Sequence, residues 1–459
     1  MRIAVVGGLA AGPAAAAEVK RHAPEAEVVM IEEGRHVSVG TCEIPYAVSG
    51  QVPNEALSVL TAAELERTRG IGVWLRTRAT RLDARRGELT LDALDYGSTR
   101  TERFDRVVLA TGARARRLGV DGEDAAGVFS VRDLDDARDV MRWLDTEAVR
   151  HVVVIGGGYI GVEMAEAMRV RGLRATILEP RGRVLGATIA CEASDLMDRA
   201  VASAGVAVRA ERATGVLADD LGRVRAVRTD QGEIVGCQMV IVAIGVEPRA
   251  SLATEAGADL GSAGGLAVDE RMRTSLRNVW ACGDVVEVPR CPDGARVLWP
   301  LATVARRTAR VAARNAAARG GASDRFEPIA CAVAVRAFGI EAASVGLSRA
   351  DAEAAGFDVA TADVRHVTRT RAFPGSCPID VRIVAERGTG RLLGGQVVSA
   401  EGAALRANVL VPLICTGAVA ETLAEDLDLI YNPPLAPAVD PLKVAAREAM
   451  KQAGARRGR

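Results

Sequence analysis

The sequence predicts an α/β chain made of two β-α-β domains of the doubly wound kind followed by a separate α+β domain, and three observations carry that expectation. A buried-strand pattern at Ile3–Val6 runs into a glycine turn and an alanine-rich helix; a stronger copy of the arrangement starts at His151; no third copy follows residue 325. At 459 residues the chain also exceeds what one hydrophobic core usually serves, so two or three domains are expected.

In the first unit, residues 3–8 (IAVVGG) form a strand and its turn, a helix runs from about Gly12 to His22, and a second strand spans Val28–Glu32. Gly7, Gly8, Ala11 and Gly12 belong to a phosphate-binding turn in which Leu9 replaces the middle glycine, and Glu32 stands where an acid meets a ribose. In the second unit, HVVVIGGGYIGVEMAEAMRVRGLRATILEP, Gly156, Gly158 and Gly161 complete the pattern around Tyr159 and Ile160. The first glycine allows the tight turn, the second lets backbone approach a pyrophosphate, and the third lets helix and strand pack closely. Glu179 ends the next strand and favours NADH; Arg181 and Arg183 keep NADPH open, since an arginine there meets a 2′-phosphate.

Two Rossmann-like units imply two dinucleotides, and hydride transfer between nicotinamide and flavin is the usual reason to hold both, which assigns FAD to the first unit and NAD(P)H to the second. VVLATG, with Thr111 and Gly112, and VIVAIGVEP, with Gly245, are strands ending in glycine turns where the chain passes between the units. NVWACGD places Gly283 and Asp284 at a strand end, where the aspartate would bond a ribityl hydroxyl. Leu301, Ala302 and Thr303 begin a helix with Pro300 in its first turn, whose N-terminus would face the flavin pyrimidine ring. The resulting division is residues 1–118 and 246–322 for the FAD domain, 119–245 for the NAD(P)H domain and 323–459 for the α+β domain, with a linker at Gly320–Gly321 and a frayed KQAGARRGR end.

Cys42 lies ten residues beyond Glu32, and Pro45 suits the first turn of a helix. A sulfur at a helix N-terminus is favoured as thiolate, the form that attacks other sulfurs. The eight cysteines form no C-x-x-C pair and no Cys/His cluster, which argues against structural zinc or an iron–sulfur centre. Equal counts of 59 basic and 59 acidic residues give no electrostatic case for nucleic acid or a membrane surface. A strand starting almost at Met1 and the lack of a long apolar run predict a soluble cytoplasmic protein.

Together these motifs resemble the FAD-dependent pyridine nucleotide-disulfide oxidoreductases over nearly the whole chain. S38-V39-G40-T41-C42-E43-I44-P45-Y46 is similar to the S-F-x-N-C-x-x-P-Y signature of the single-cysteine branch, which holds coenzyme A-disulfide reductases, NAD(P)H polysulfide or persulfide reductases, and NADH oxidases and peroxidases. The resemblance implies a small sulfur substrate, with coenzyme A carried on Cys42 as a mixed disulfide. It implies that Lys20, Arg21, Ser38 and Thr41 bind that substrate. I430-Y431-N432-P433-P434 resembles the branch's Y-x-P-P segment, implying a homodimer in which Tyr431 reaches the partner subunit's Cys42 as proton donor or thiolate stabiliser. Thr41, Glu43 and Phe373 depart from the pattern, the last lacking a second tyrosine's hydroxyl, and Leu9, Ala10 and Ala11 stand where the oxidases carry a histidine. The competing expectations are an oxidase or peroxidase cycling Cys42 through a sulfenic acid, and a flavin subunit passing electrons to a ferredoxin or a larger complex.

Overall fold

The computed structural model describes residues 1–186, 191–318, 320 and 323–454, with 191–194 described as helical backbone only. Part of the expected 320–321 linker and the last five residues of the C-terminal stretch lie outside them. The first sheet is five-stranded and parallel, ordered Val279–Ala281, Arg106–Leu109, Arg2–Val6, Glu27–Ile31 and Ile71–Trp74. The second has the same form, ordered Val128–Phe129, Met239–Val242, His151–Ile155, Arg174–Leu178 and Ala207–Arg209. Parallel strands covered on both faces need unbroken apolar runs, which is why RIAVV, EVVMI, HVVVI and RATIL show no alternation.

The two units repeat down to their insertions. Each carries a three-stranded antiparallel meander before its last internal strand, 77–103 in the first and 213–236 in the second. The passages between them, Ala113–Ala115 and Val246–Pro248, pair antiparallel as a two-stranded link. The final strand of the first sheet, Val279–Ala281, comes after the whole second unit, so the first domain is closed by residues from both sides of the second.

The glycine turns set how closely helix and strand meet. Gly7 and Gly156 have φ of +109° and +105°, a region open to glycine. A Cβ on Gly12 would lie 1.8 Å from the Gly7 carbonyl oxygen, and one on Gly161 2.0 Å from that of Gly156. Helices Ala11–His22 and Tyr159–Val170 therefore start hard against their own turns. Helix Ala302–Ala317 packs along Ala11–His22, and its start departs from expectation: Pro300 precedes the N-cap Leu301 rather than occupying the first turn.

Residues 333–399 form a five-stranded antiparallel sheet, ordered Val333–Ala337, Ile340–Gly346, Leu392–Ser399, Pro378–Glu386 and Val359–Val367. Helix Pro441–Ala453 covers it, capped by Asp440, whose carboxylate accepts from the Leu442 N–H at 2.9 Å. The sheet and its helices share one apolar core, matching the α+β expectation.

Gly161→Ala forces backbone apart and should lower the melting temperature by several degrees, consistent with about 1–3 kcal/mol for overpacking. Gly158→Ala, with nothing within 4 Å of its added carbon, should leave it within about 1 °C. Thermal melts of the two purified variants beside wild type check the contrast.

Candidate active site

The main cleft runs across the first unit. Its walls come from the turn Gly7–Ala11, the strand end Glu32–His36, the turn Ala110–Ala113, and Arg132, Asp284 and Ala305. At one end the Glu32 carboxylate accepts N–H donors from Gly8 at 2.6 Å and Gly34 at 2.6 Å. Burial pushes this carboxyl above the usual range, and the two backbone donors oppose that. Ser38 follows in a left-handed conformation, φ +54°, and its N–H bonds the Gly8 carbonyl at 2.8 Å, tying the approach to Cys42 onto the glycine turn.

At the other end Asp284 sits in a 3₁₀ turn, Gly283–Val285, just past strand Val279–Ala281. A Cβ on Gly283 would meet Ala11 Cβ at 2.8 Å, so the turn is held against the helix start. Arg132 donates to the Ala113 carbonyl at 3.2 Å and to Asp284 at 3.4 Å, while its buried Nε has no partner. Burial raises the Asp284 carboxyl, opposed by Arg132. A glycine-walled cleft with an unpartnered guanidinium nitrogen fits an anionic dinucleotide such as FAD. Thr111 and Gly112 line it, with the Thr111 hydroxyl donating to the Arg249 carbonyl at 2.7 Å. Gly12 and Gly283 lie beneath its wall. Leu301, Ala302 and Thr303 stop short of it, and Ala305, one turn along their helix, reaches it.

Cys42 is exposed and sits in a 3₁₀ turn, Thr41–Glu43, that leads into the five-residue helix Ile44–Val48 with Pro45 in its first turn. Thr41 lines the cleft. The expected thiolate is not what this surrounding favours. Desolvation pushes the thiol up, followed by the negative charges of Glu43, Glu163 and Asp284; a hydrogen bond with Thr41 pulls the other way. A helix of one turn and a half carries little dipole to offset three carboxylates.

Glu163 and Tyr46 were not expected here. Glu163 lies on helix Tyr159–Val170 of the second unit, pushed up to about 7 by burial and by Glu166, with a Tyr46 hydrogen bond opposing. The sequence signal is a pair of acids, Glu163 and Glu166, three residues apart in the otherwise apolar stretch GVEMAEAM. Arg132 gave no such signal. Lys20 and Arg21 occupy the far end of helix Ala11–His22, about 14 Å along it from Ala11 at 1.5 Å per residue. Lys20 donates to the carbonyls of Pro24 at 2.6 Å and Ala26 at 3.0 Å, and Arg21 pairs with Glu18.

In the second unit Gly158 caps helix Tyr159–Val170, so Tyr159 and Ile160 are its first two residues, and the space beside Gly158 is open. Glu179 accepts from the Gly157 N–H at 3.0 Å and the Arg181 N–H at 3.1 Å, the same device as Glu32. Arg183 is held by Asp195 at 2.5 Å and Asp198 at 2.8 Å. Gly245, φ +97°, turns the chain back into the link strand. The geometry fits an NAD(P)H site.

Tyr431 is exposed in the C-terminal domain with Ile430, Leu435, Val439 and Phe373, and the Thr370 N–H joins the Phe373 loop to the Pro433 carbonyl at 3.3 Å. Tyr431 and Cys42 are on separate domains. Among the described residues no cluster suited to a metal ion occurs, and no helix is long and apolar enough to cross a membrane.

The family described as pyridine nucleotide-disulphide oxidoreductase matches residues 1–309, and its dimerisation domain matches residues 333–442. A Pyrococcus horikoshii protein named NAD(P)H coenzyme A polysulfide/persulfide reductase is 33% identical over 452 residues, covering 97% of this chain and 98% of its own. A Methanocaldococcus jannaschii NADH oxidase is 28% identical over 98% of this chain and 99% of its own. Among solved structures, a NAD-dependent persulfide reductase from A. fulgidus superposes with a TM-score of 0.93 at 32% identity, over 98% of this chain and 83% of that one.

Glu163 is ionised above about pH 7 and then adds a negative charge beside Cys42. Glu163→Gln should speed alkylation of Cys42 by iodoacetamide several-fold at pH 8 and change it little at pH 6, measured by peptide mass analysis on intact flavoprotein first reduced with dithiothreitol and freed of small thiols.

Proposed function

The chain belongs to the pyridine nucleotide-disulphide oxidoreductases, and from that membership we propose that it uses NAD(P)H and FAD to reduce a small disulfide, persulfide or polysulfide at Cys42. One observation carries the reading. An exposed cysteine directly follows Thr41, which lines the cleft that fits the flavin, and carboxylates from both nucleotide units, Asp284 and Glu163, are near enough to act on its thiol.

When bound, the flavin supplies the two-electron relay between nicotinamide and sulfur. The chain's own residues do the rest. The turn Gly7–Gly12 and Glu32 hold one dinucleotide, and Gly156–Gly161 with Glu179 hold the other. Thr41 hydrogen-bonds the Cys42 sulfur and the surrounding carboxylates disfavour its free anion, so the resting sulfur is neutral, a state that a mixed disulfide with a small thiol satisfies. Two-electron reduction of the Cys42–S–SR bond would release RSH and free the Cys42 thiol, which then displaces R′S⁻ from a substrate R′SSR′ to give Cys42–S–SR′ and R′SH.

Glu179 faces the ribose position and Arg183 is engaged by two aspartates, which supports NADH over NADPH. Coenzyme A is the proposed carrier thiol. Its phosphates would find cations in Lys20 and Arg21 at the end of helix Ala11–His22. The exposed apolar patch around Tyr431 supports a homodimer in which Tyr431 approaches the partner subunit's Cys42 as proton donor, and Phe373 leaves that role without a second hydroxyl. The free cysteines fit a cytoplasmic setting. Against oxygen or peroxide as acceptor, Leu9, Ala10 and Ala11 bring no base to the flavin; the histidine that lines the cleft, His36, stands at the Glu32 end against Arg138 at 2.7 Å.

Cys42→Ser should leave the rate of flavin reduction by NADH within about twofold while cutting disulfide or polysulfide turnover at least about 100-fold. Stopped-flow bleaching and steady-state NADH consumption separate the two, and retained turnover overturns the role given to Cys42. Tyr431→Phe should lower turnover about tenfold without changing flavin reduction, read in the same two assays.

A further inference from the structure

Three thiols outside the active site converge where the hairpin Val288–Val297 of the first domain docks on the C-terminal domain. Cys291 Sγ lies 2.9 Å from Cys415 Sγ although 124 residues separate them in sequence. A disulfide needs about 2.05 Å, so a shift of about 0.9 Å joins the pair. Cys331 is near enough for its charge to influence Cys291.

The surroundings divide the labour between the sulfurs. Cys291 is buried among C-terminal core residues that include Leu413 and Ile414, and its N–H bonds the Ile329 carbonyl at 2.8 Å. Arg391, from the other side, donates to the Pro292 carbonyl at 3.3 Å. Cys415 is exposed at the end of the short helix Leu410–Cys415. Cys291 and Cys331 are buried, which raises both thiols, and the adjoining Cys415 raises Cys291 further; the exposed Cys415 is therefore the first nucleophile. An oxidised thiol arriving from solvent meets Cys415, with Cys291 directly behind it.

We propose that Cys291 and Cys415 form a reversible disulfide site, separate from Cys42, that is oxidised by small disulfides of the kind the enzyme handles. In the first step Cys415 Sγ displaces RS⁻ from RSSR and becomes Cys415–S–SR. In the second, Cys291 Sγ displaces the other RS⁻, and the two thiol protons leave with the two released thiolates as 2 RSH. Two electrons pass from the protein to the small disulfide. The bond closes a long loop and staples the first domain's hairpin to the helix that precedes the Tyr431 segment, so it constrains the unfolded chain and fixes that domain contact. The choice of oxidant rests on the proposed function, whereas the pairing rests on the sulfur geometry.

The test uses the full-length flavoprotein, treated with excess hydroxyethyl disulfide without NADH, then alkylated and digested without reduction. A Cys291–Cys415 peptide lighter by two hydrogens, lost on dithiothreitol treatment, together with a melting temperature higher by several degrees, is the expected result. Cys415→Ser, at an exposed position, should fold normally and lose both signals. Alkylated Cys291 and Cys415 after treatment, a Cys331–Cys415 link, or a lasting mixed disulfide on Cys415 overturns the proposal. The same digest reads Cys42. An adduct at Cys42 with both other thiols free sinks this inference alone, and a Cys291–Cys415 bond with Cys42 recovered only as the alkylated free thiol sinks the functional reading alone.

Discussion

The cleft depends on one contact made twice. At the end of the second strand of each nucleotide unit a carboxylate, Glu32 or Glu179, turns back to accept the N–H of the second residue of the glycine turn and the N–H two residues beyond itself. Each carboxylate thereby fixes a loop that would otherwise be free, and it does so from the position where a ribose hydroxyl competes for the same oxygens. Binding a dinucleotide exchanges partners around a preset frame. The close approaches at Gly12 and Gly161 follow from the same frame, because a loop held this tightly leaves no space for a side chain at the helix start.

That frame decides where Cys42 can be. The Ser38 N–H bonds the carbonyl of Gly8, so the stretch leading to the cysteine is anchored on the first turn, while the helix after the second turn brings Glu163 near enough for its charge to act on the sulfur. The sulfur therefore sits between the two units that bind the dinucleotides. Its neighbours are acids rather than cations, which sets it apart from cysteines activated by a histidine or a helix dipole. A free sulfur so placed rests as the neutral thiol, because its surroundings penalise ionisation. Glu163, near neutrality at about 7 and bonded to Tyr46, makes the penalty depend on pH within the working range.

Much of this was legible in the sequence because it rests on local rules. G-x-G-x-x-G at Gly156–Gly161, the acids at 32 and 179, and the strand-ending Asp284 each express a backbone constraint that a single chain position satisfies alone. The duplicated sheets follow from the same patterns. What stayed hidden depends on residues far apart in sequence. The rise of the Cys42 thiol comes from desolvation by the chain packed around it and from Glu163 and Asp284 as well as from its neighbour Glu43, and only Glu43 is visible beside it. Arg132 reaches Asp284 across 152 positions, and Cys291 reaches Cys415 across 124. Leu301, Ala302 and Thr303 form the N-cap and first residues of the helix whose Ala305 lines the cleft, so the helix start stands beside the proposed flavin site as the proline and alanine pattern suggests.

The central claim is that electrons from NADH reach a sulfur bonded to Cys42. The most direct measurement is the mass of the Cys42 peptide from native enzyme loaded with coenzyme A disulfide, before and after one equivalent of NADH per subunit under argon. The account predicts a thiol adduct on Cys42 that this NADH removes. An adduct that persists through excess NADH, with the flavin fully reduced, contradicts it.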